Sequence, residues 1–242
     1  MEVIKTKDYE AMSEKACTIV KDAIKTKDHP VLGLATGSTP EGLYERLIQT
    51  YQAGQISFEK VTTFNLDEYI GLSPEDENSY HYYMKEKFFK HIDLPVEQSN
   101  VPKGDTGDAR QACKDYEALI HDAGHVDLQI LGLGVNGHIA FNEPGTPFDS
   151  RTQVVDLTQS TRDANARFFD SMDDVPTQAI TMGIESIMES KEIILLASGM
   201  KKADAVAKLI NGDVSEAFPA SILQKHPNVT VIADEEALSK VR

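Results

Sequence analysis

The apolar residues of this chain fall into two alternating patterns. Short runs of β-branched and aliphatic residues recur along it: Val31-Leu32-Gly33-Leu34-Ala35, Val61 to Leu66, Val126 to Ile130, Ile193 to Ala197 and Val229 to Ala233. Their short length and β-branched, apolar residues predict strands buried on both faces. Val3-Ile4 and Val154 to Leu157 predict two more. Between the runs, apolar positions return every three to four residues, as a helix with one buried face requires. Tyr9, Met12, Ala16, Ile19, Ala23 and Ile24 mark such a helix, which His29-Pro30 stops. Leu43, Leu47 and Ile48 mark a second, and others are predicted over Ser79 to Phe89, Asp108 to about Asp122 and Ala203 to Ile210. Strands alternating with helices predict one doubly wound α/β domain over residues 1–242. Its sheet should be mostly parallel, with helices on both faces, Rossmann-like, and its crossovers right-handed.

Ligands in such a sheet bind beyond the C-terminal ends of the strands, so the polar residues directly after each apolar run are the candidates. Thr36-Gly37-Ser38-Thr39-Pro40 follows one run and opens a helix. Proline suits the first helical position and Thr39 the cap before it. Hydroxyls and free N–H groups at a helix N-terminus favour phosphate, which makes Gly37, Ser38 and Thr39 a predicted phosphate loop. No Gly-Lys-Ser/Thr follows, so triphosphate hydrolysis is not indicated. Asp67-Glu68-Tyr69 ends the next run, and either carboxylate could act as a base on a bound ligand. The pattern does not choose between them.

The most informative stretch is Leu131 to Gly145, which follows the run Val126 to Ile130. Gly132, Gly134 and Gly137 free its backbone, and His138 and Glu143 remain as titratable groups suited to moving a proton. Its Gly-x-Gly-x-x-Gly resembles a dinucleotide fingerprint, but Phe141-Asn142-Glu143-Pro144-Gly145 breaks the helix that fingerprint must open, so no nicotinamide cofactor is expected. Further on, Arg162 and Arg167 offer planar forks that suit phosphate, and Ser198-Gly199-Met200-Lys201-Lys202 repeats the strand, turn, helix arrangement with lysines.

Charge and cysteine usage narrow the picture. Lys and Arg number 24 against 39 Asp and Glu, a formal charge of −15, which argues against nucleic acid or an anionic membrane surface as partner. Cys17 and Cys113 lie in helical patterns with no disulfide or metal-ligand spacing. The N-terminal residues lack the apolar core of a signal peptide and no run is long enough to span a bilayer, so a soluble cytoplasmic protein is expected.

Four blocks, Leu34-Ala35-Thr36-Gly37-Ser38-Thr39-Pro40, Phe64-Asn65-Leu66-Asp67-Glu68-Tyr69, Gly134 to Pro144 and Ser150-Arg151-Thr152, resemble the glucosamine-6-phosphate deaminase family in the same order, from about Val31 to Asp234. The resemblance implies conversion of glucosamine 6-phosphate and water to fructose 6-phosphate and ammonia, an aldose-ketose isomerisation followed by loss of nitrogen in amino sugar catabolism. It implies Asp67 rather than Glu68 as the enolisation base, His138 as the acid/base of ring opening with Glu143 and Asn136 as its partners, and Arg167 and Lys202 as charge at the phosphate loop. No metal or cofactor is implied.

Two features depart from the family pattern. Some members carry Asp where this chain has Asn136, and an amide cannot supply negative charge to His138. Longer relatives, whose extensions go with hexamers activated by N-acetylglucosamine 6-phosphate, continue beyond the equivalent of Ala233. A simpler, non-allosteric enzyme is therefore expected here, with self-association left open. The competing readings are a 6-phosphogluconolactonase-like hydrolase, which shares the fold and the Gly-x-Gly-x-x-Gly-His loop, and a sugar-phosphate sensor, which would bring a DNA-binding segment or lose the catalytic groups.

Overall fold

All four residues of Val31–Leu34 are buried, as are four of the five in Leu128–Gly132, so these strands are covered on both faces; Gln129, the one polar residue of the two, donates through Nε2 to the Ile130 carbonyl at 2.9 Å. The computed structural model describes residues 1–166, 169 and 171–241. Its strands are β1 (Glu2–Thr6), β2 (Val31–Leu34), β3 (Thr62–Asn65), β4 (Asp67–Tyr69), β5 (Ser99–Asn100), β6 (Leu128–Gly132), β7 (Gln153–Asp156), β8 (Gln178–Thr181), β9 (Glu192–Ala197) and β10 (Val229–Asp234). Its helices are α1 (Tyr9–Thr26), α2 (Glu41–Gln52), α3 (Tyr80–Lys87), α4 (Ala109–Asp122), α5 (Gln159–Asn165), α6 (Ile184–Met188) and α7 (Ala203–Asn211).

Seven strands form one parallel sheet in the order β1-β10-β9-β6-β2-β3-β5. From β2 the chain builds outward through β3 to β5, then returns to the other side of β2 with β6 and continues through β9 and β10. The order therefore reverses between β2 and β6, where connections leave in opposite directions and open a crevice at the strands' C-terminal ends. The loops that carry Gly37–Thr39 and Gly134–His138 follow those two strands.

A second sheet departs from the sequence expectation. β4, β8 and β7 form a three-stranded antiparallel sheet in the order β4-β8-β7, so Asp67-Glu68-Tyr69 is a strand of its own and not the end of β3. Leu66 is the joint. Its N–H bonds the Leu34 carbonyl at 3.1 Å, and its carbonyl accepts from Met182 N at 2.7 Å. Three residues are too few for a period-two signal, and two of them are carboxylates, which is why the pattern did not reveal it. Tyr69, Phe141 and Ala179 bury this sheet's inner face, with Tyr80 packed against them.

The helix starts are local chemistry. Asp8 caps α1, Ser79 caps α3 and Asp108 caps α4, each accepting from a backbone N–H of the first turn at 2.9 to 3.0 Å. α2 differs from the predicted start. It begins at Glu41 with Pro40 at the cap position, and no side chain of the preceding residues, Thr39 included, caps it. Both cysteines are free and buried. Among the described residues no helix is long and apolar enough to cross a membrane.

Candidate active site

The β6 loop builds a histidine relay. The Asn136 side chain donates through Nδ2 to Glu143 Oε2 at 2.7 Å. A carboxylate only accepts, so this bond turns the amide oxygen toward His138, where it lies 2.7 Å from Nδ1 and 3.1 Å from the backbone N–H. An amide oxygen cannot donate, so Nδ1 carries the hydrogen and Nε2 keeps its lone pair. Glu143 also accepts from the Thr161 hydroxyl at 2.6 Å. Burial by itself would raise the Glu143 carboxyl, but the nearby His138 ring and hydrogen bonds from Thr161 and Asn136 outweigh it and hold the group at about 2. Gly134 is required for this geometry, because a Cβ there would lie 2.4 Å from His138 Nδ1. The loop is tight further along as well, with Ala140 at φ +52°, the left-handed region non-glycine residues seldom adopt.

Asp67 approaches the relay through β8. It pairs with Thr181 in the small sheet, and the Thr181 hydroxyl accepts from Phe141 N at 3.1 Å. Asn142 Nδ2 bonds the carbonyls of Ile139 and Met182 at 3.0 and 2.9 Å, which docks the segment between His138 and Glu143 onto the end of β8. Asp67 is 7% exposed, and among the described residues its carboxylate has no hydrogen-bond partner. Burial, reinforced by the charge of Glu68, pushes its carboxyl up to about 8.

Glu68, the carboxylate sequence could not separate from Asp67, has different surroundings. It accepts from the backbone N–H groups of Tyr69, Tyr80 and His81 at 2.8 to 3.0 Å, tying β4 to the start of α3. Burial pushes its carboxyl up to about 7 against the opposing effect of those three donors. A cavity of about 670 Å³ lined by Glu68, His81, Lys103, Asp108 and Tyr116 lies on this side, and neither Asp67 nor His138 lines it.

The loop after β2 is open to a ligand. Gly37, at φ +89°, supplies the left-handed turn that sends Ser38 and Thr39 into α2. Among the described residues the N–H groups of Thr36 through Thr39 and the hydroxyls of Ser38 and Thr39 have no partner. Lys202 follows β9, whose neighbour β6 separates it from β2, and its ammonium donates to the Leu133 carbonyl at 2.6 Å. Burial lowers its pKa. Arg167 lies outside the described residues. Arg162, its companion in the sequence pattern, donates to the carbonyls of Met172 and Val175 at 3.1 and 3.0 Å.

Three participants had no signal in the sequence. Thr161 and Thr181 are single hydroxyls in unremarkable segments, and only tertiary pairing brings them to Glu143 and Phe141. Tyr80 sits in the aromatic-rich segment from Ser79 to Phe89, whose aromatics read as core or pocket wall. Its ring stacks on Phe141 at 6.1 Å between centroids and its hydroxyl lies 3.3 Å from that of Tyr69. Among the described residues no three His, Cys, Asp or Glu side chains group as metal ligands.

Comparison with known proteins fits this geometry. Residues 5–232 match the family model for glucosamine-6-phosphate isomerases and 6-phosphogluconolactonase. Glucosamine-6-phosphate deaminase of Oceanobacillus iheyensis is 58% identical over 241 residues, covering 100% of this chain and 96% of that protein. Glucosamine-6-phosphate deaminase 1 of Bacillus subtilis is 53% identical over 239 residues, 99% of each. The solved structure of a monomeric glucosamine-6-phosphate deaminase is 52% identical, with a TM-score of 0.97 over 99% of this chain and 100% of that one. A 6-phosphogluconolactonase from Trypanosoma brucei, 17% identical, shares the fold at a TM-score of 0.81 over 100% of this chain and 98% of its own. The chain belongs to the family of glucosamine-6-phosphate isomerases and 6-phosphogluconolactonases.

Proposed function

We propose that this chain converts glucosamine 6-phosphate and water to fructose 6-phosphate and ammonia. The observation that carries the reading is a buried carboxylate without a hydrogen-bond partner among the described residues, Asp67, connected through Thr181 and Phe141 to the loop whose histidine Asn136 and Glu143 hold in one tautomer. Opening the pyranose takes a proton from the anomeric hydroxyl and returns one to the ring oxygen, and the Nε2 lone pair of His138 serves both transfers. Glu143, ionised at neutral pH and linked through Asn136, stabilises the imidazolium formed between them.

In the open aldehyde, Asp67 removes the C2 proton while a proton of the substrate's C2 ammonium passes to O1, giving a cis-enolamine to which Asp67 returns its proton at C1 on the same face. The product is an iminium at C2, which water hydrolyses to the ketone and ammonia. A carboxyl raised to about 8 is a stronger base, once ionised, than an ordinary aspartate. The phosphate is taken by the N–H groups and hydroxyls of Gly37, Ser38 and Thr39, with Lys202 and Arg167 supplying charge, which also draws a dianion into a protein of net charge −15. High identity to deaminases and the buried carboxylate of Asp67, a carbon-acid base that lactone hydrolysis does not need, support this assignment over the reaction of more distant family members.

The test is product formation. Incubation with glucosamine 6-phosphate should release ammonia and fructose 6-phosphate in equal amounts, following a hyperbolic saturation curve that N-acetylglucosamine 6-phosphate does not alter. Absence of ammonia together with hydrolysis of 6-phosphogluconolactone would overturn the proposal.

A further inference from the structure

The loop between β2 and α2 is held from outside by three tyrosine hydroxyls, each from a different helix. Tyr44 of α2 donates to the Ala35 carbonyl at 2.5 Å, Tyr83 of α3 to the Gly37 carbonyl at 2.6 Å, and Tyr9, the first residue of α1, to the Ser38 carbonyl at 2.9 Å. The Tyr9 hydroxyl also accepts from Gly42 N at 2.8 Å. It thereby satisfies the first-turn N–H that a Thr39 cap would have taken, and Thr39 is left with its own hydroxyl and N–H without partners among the described residues.

These bonds set the polarity of the loop. No peptide in the described chain is cis, and in a planar trans peptide the C=O and the following N–H point in opposite directions. A Gly37 carbonyl fixed on Tyr83 therefore aims Ser38 N–H the other way, and a Ser38 carbonyl fixed on Tyr9 does the same for Thr39 N–H. Each anchored carbonyl, which would repel an anion, thus points opposite to the free N–H of its own peptide. Donors already aimed need no reorganisation when an anion arrives.

We propose that Tyr9 and Tyr83 are positioning residues for the substrate's phosphate group, acting through the carbonyls of Ser38 and Gly37 and never touching the ligand. This rests on the reading of Gly37–Thr39 as the phosphate loop. Tyr44 is fully buried and stacks on Phe88 at 4.8 Å, so its hydroxyl is bound up with core packing. Tyr9 and Tyr83 are only partly buried, and their phenylalanine variants keep the ring.

The experiment compares Tyr9→Phe, Tyr83→Phe and the double variant with the unaltered enzyme. Steady-state kinetics are measured with glucosamine 6-phosphate, and inorganic phosphate binding is measured by calorimetry. Each single variant should raise KM and weaken phosphate by the same factor, about three- to tenfold as for loss of one hydrogen bond, with kcat within about twofold. Unchanged KM and phosphate affinity, whatever happens to the melting temperature, would overturn the proposal, as would a loss confined to kcat. Ser38→Ala and Thr39→Val separate the two levels. If they weaken phosphate and the tyrosine variants do not, the positioning role falls and the loop assignment stands; if neither set weakens it, the loop assignment itself fails.

Discussion

Nδ1 of His138 and the nearer Glu143 oxygen are 3.6 Å apart, and the Asn136 amide spans them with a bond of 2.7 Å at each end. In Asn136→Asp the donor toward Glu143 is lost and a like charge takes its place, so the Glu143 carboxyl should rise from about 2 toward or above 4.5. Carbon-detected NMR titration of Glu143 reads this directly. Asn136→Ala removes both bonds and frees the ring, and its kcat should fall about 10- to 100-fold.

Glu143 also sets a stability dependence. Its carboxyl is lower in the folded chain than its ordinary 4.5, so it contributes stability above that pH and the contribution is lost as pH falls from 4.5 through about 2. The contribution is roughly 3 kcal/mol at most. In Glu143→Gln the fall in denaturation midpoint over that window should be correspondingly shallower.

Gly134→Ala places a methyl where the His138 ring lies, at 2.4 Å from Nδ1. The ring must leave its bond to Asn136. A kcat lowered about 100-fold is expected, with little change in KM, since a misplacement of about 1 Å has that consequence.

Asp67 carries opposite signs for stability and activity. Its carboxyl is raised from 3.8 to about 8, so folding disfavours its ionised form and the fold loses stability as pH rises through that window. Asp67→Asn should therefore melt higher than the unaltered chain at pH 8 and no differently below pH 4. The proposed mechanism needs Asp67 ionised to act as the base, so kcat/KM of the unaltered enzyme should climb with pH toward about 8. Glu68→Gln removes the neighbouring charge and should move that limb to lower pH. Its amide cannot accept all three backbone bonds, so a loss of about 1–3 kcal/mol of stability is expected alongside.

The parallel sheet was legible because a strand buried on both faces is mostly apolar, as the run at Val31 is throughout; the run at Val126 also holds Asp127 and Gln129, buried on hydrogen bonds to the Val31 N–H and the Ile130 carbonyl. The small sheet was not, since β4 is three residues long and its pairing with β8 spans over a hundred positions. His138, Asn136 and Glu143 lie within eight residues, so their association is local and the sequence carries it. The separation of Asp67 from Glu68 is different in kind. Composition cannot distinguish two adjacent carboxylates; alternation along β4 does, giving one three backbone donors and the other none. Thr39 shows the limit of local rules, because a hydroxyl from α1, thirty positions upstream, took the cap that propensity assigned to it.

The most direct measurement follows the C2 hydrogen of glucosamine 6-phosphate by proton NMR during turnover in D2O, for the unaltered enzyme and Asp67→Asn. With Asp67 as the single base, the substrate's C2 hydrogen should reappear on one face of C1 in fructose 6-phosphate, replaced there by deuterium only as far as the Asp67 carboxyl exchanges with solvent before delivery. Asp67→Asn should bind the substrate with similar affinity while forming neither product nor exchanged substrate. Turnover in Asp67→Asn within about tenfold of the unaltered rate would contradict the account.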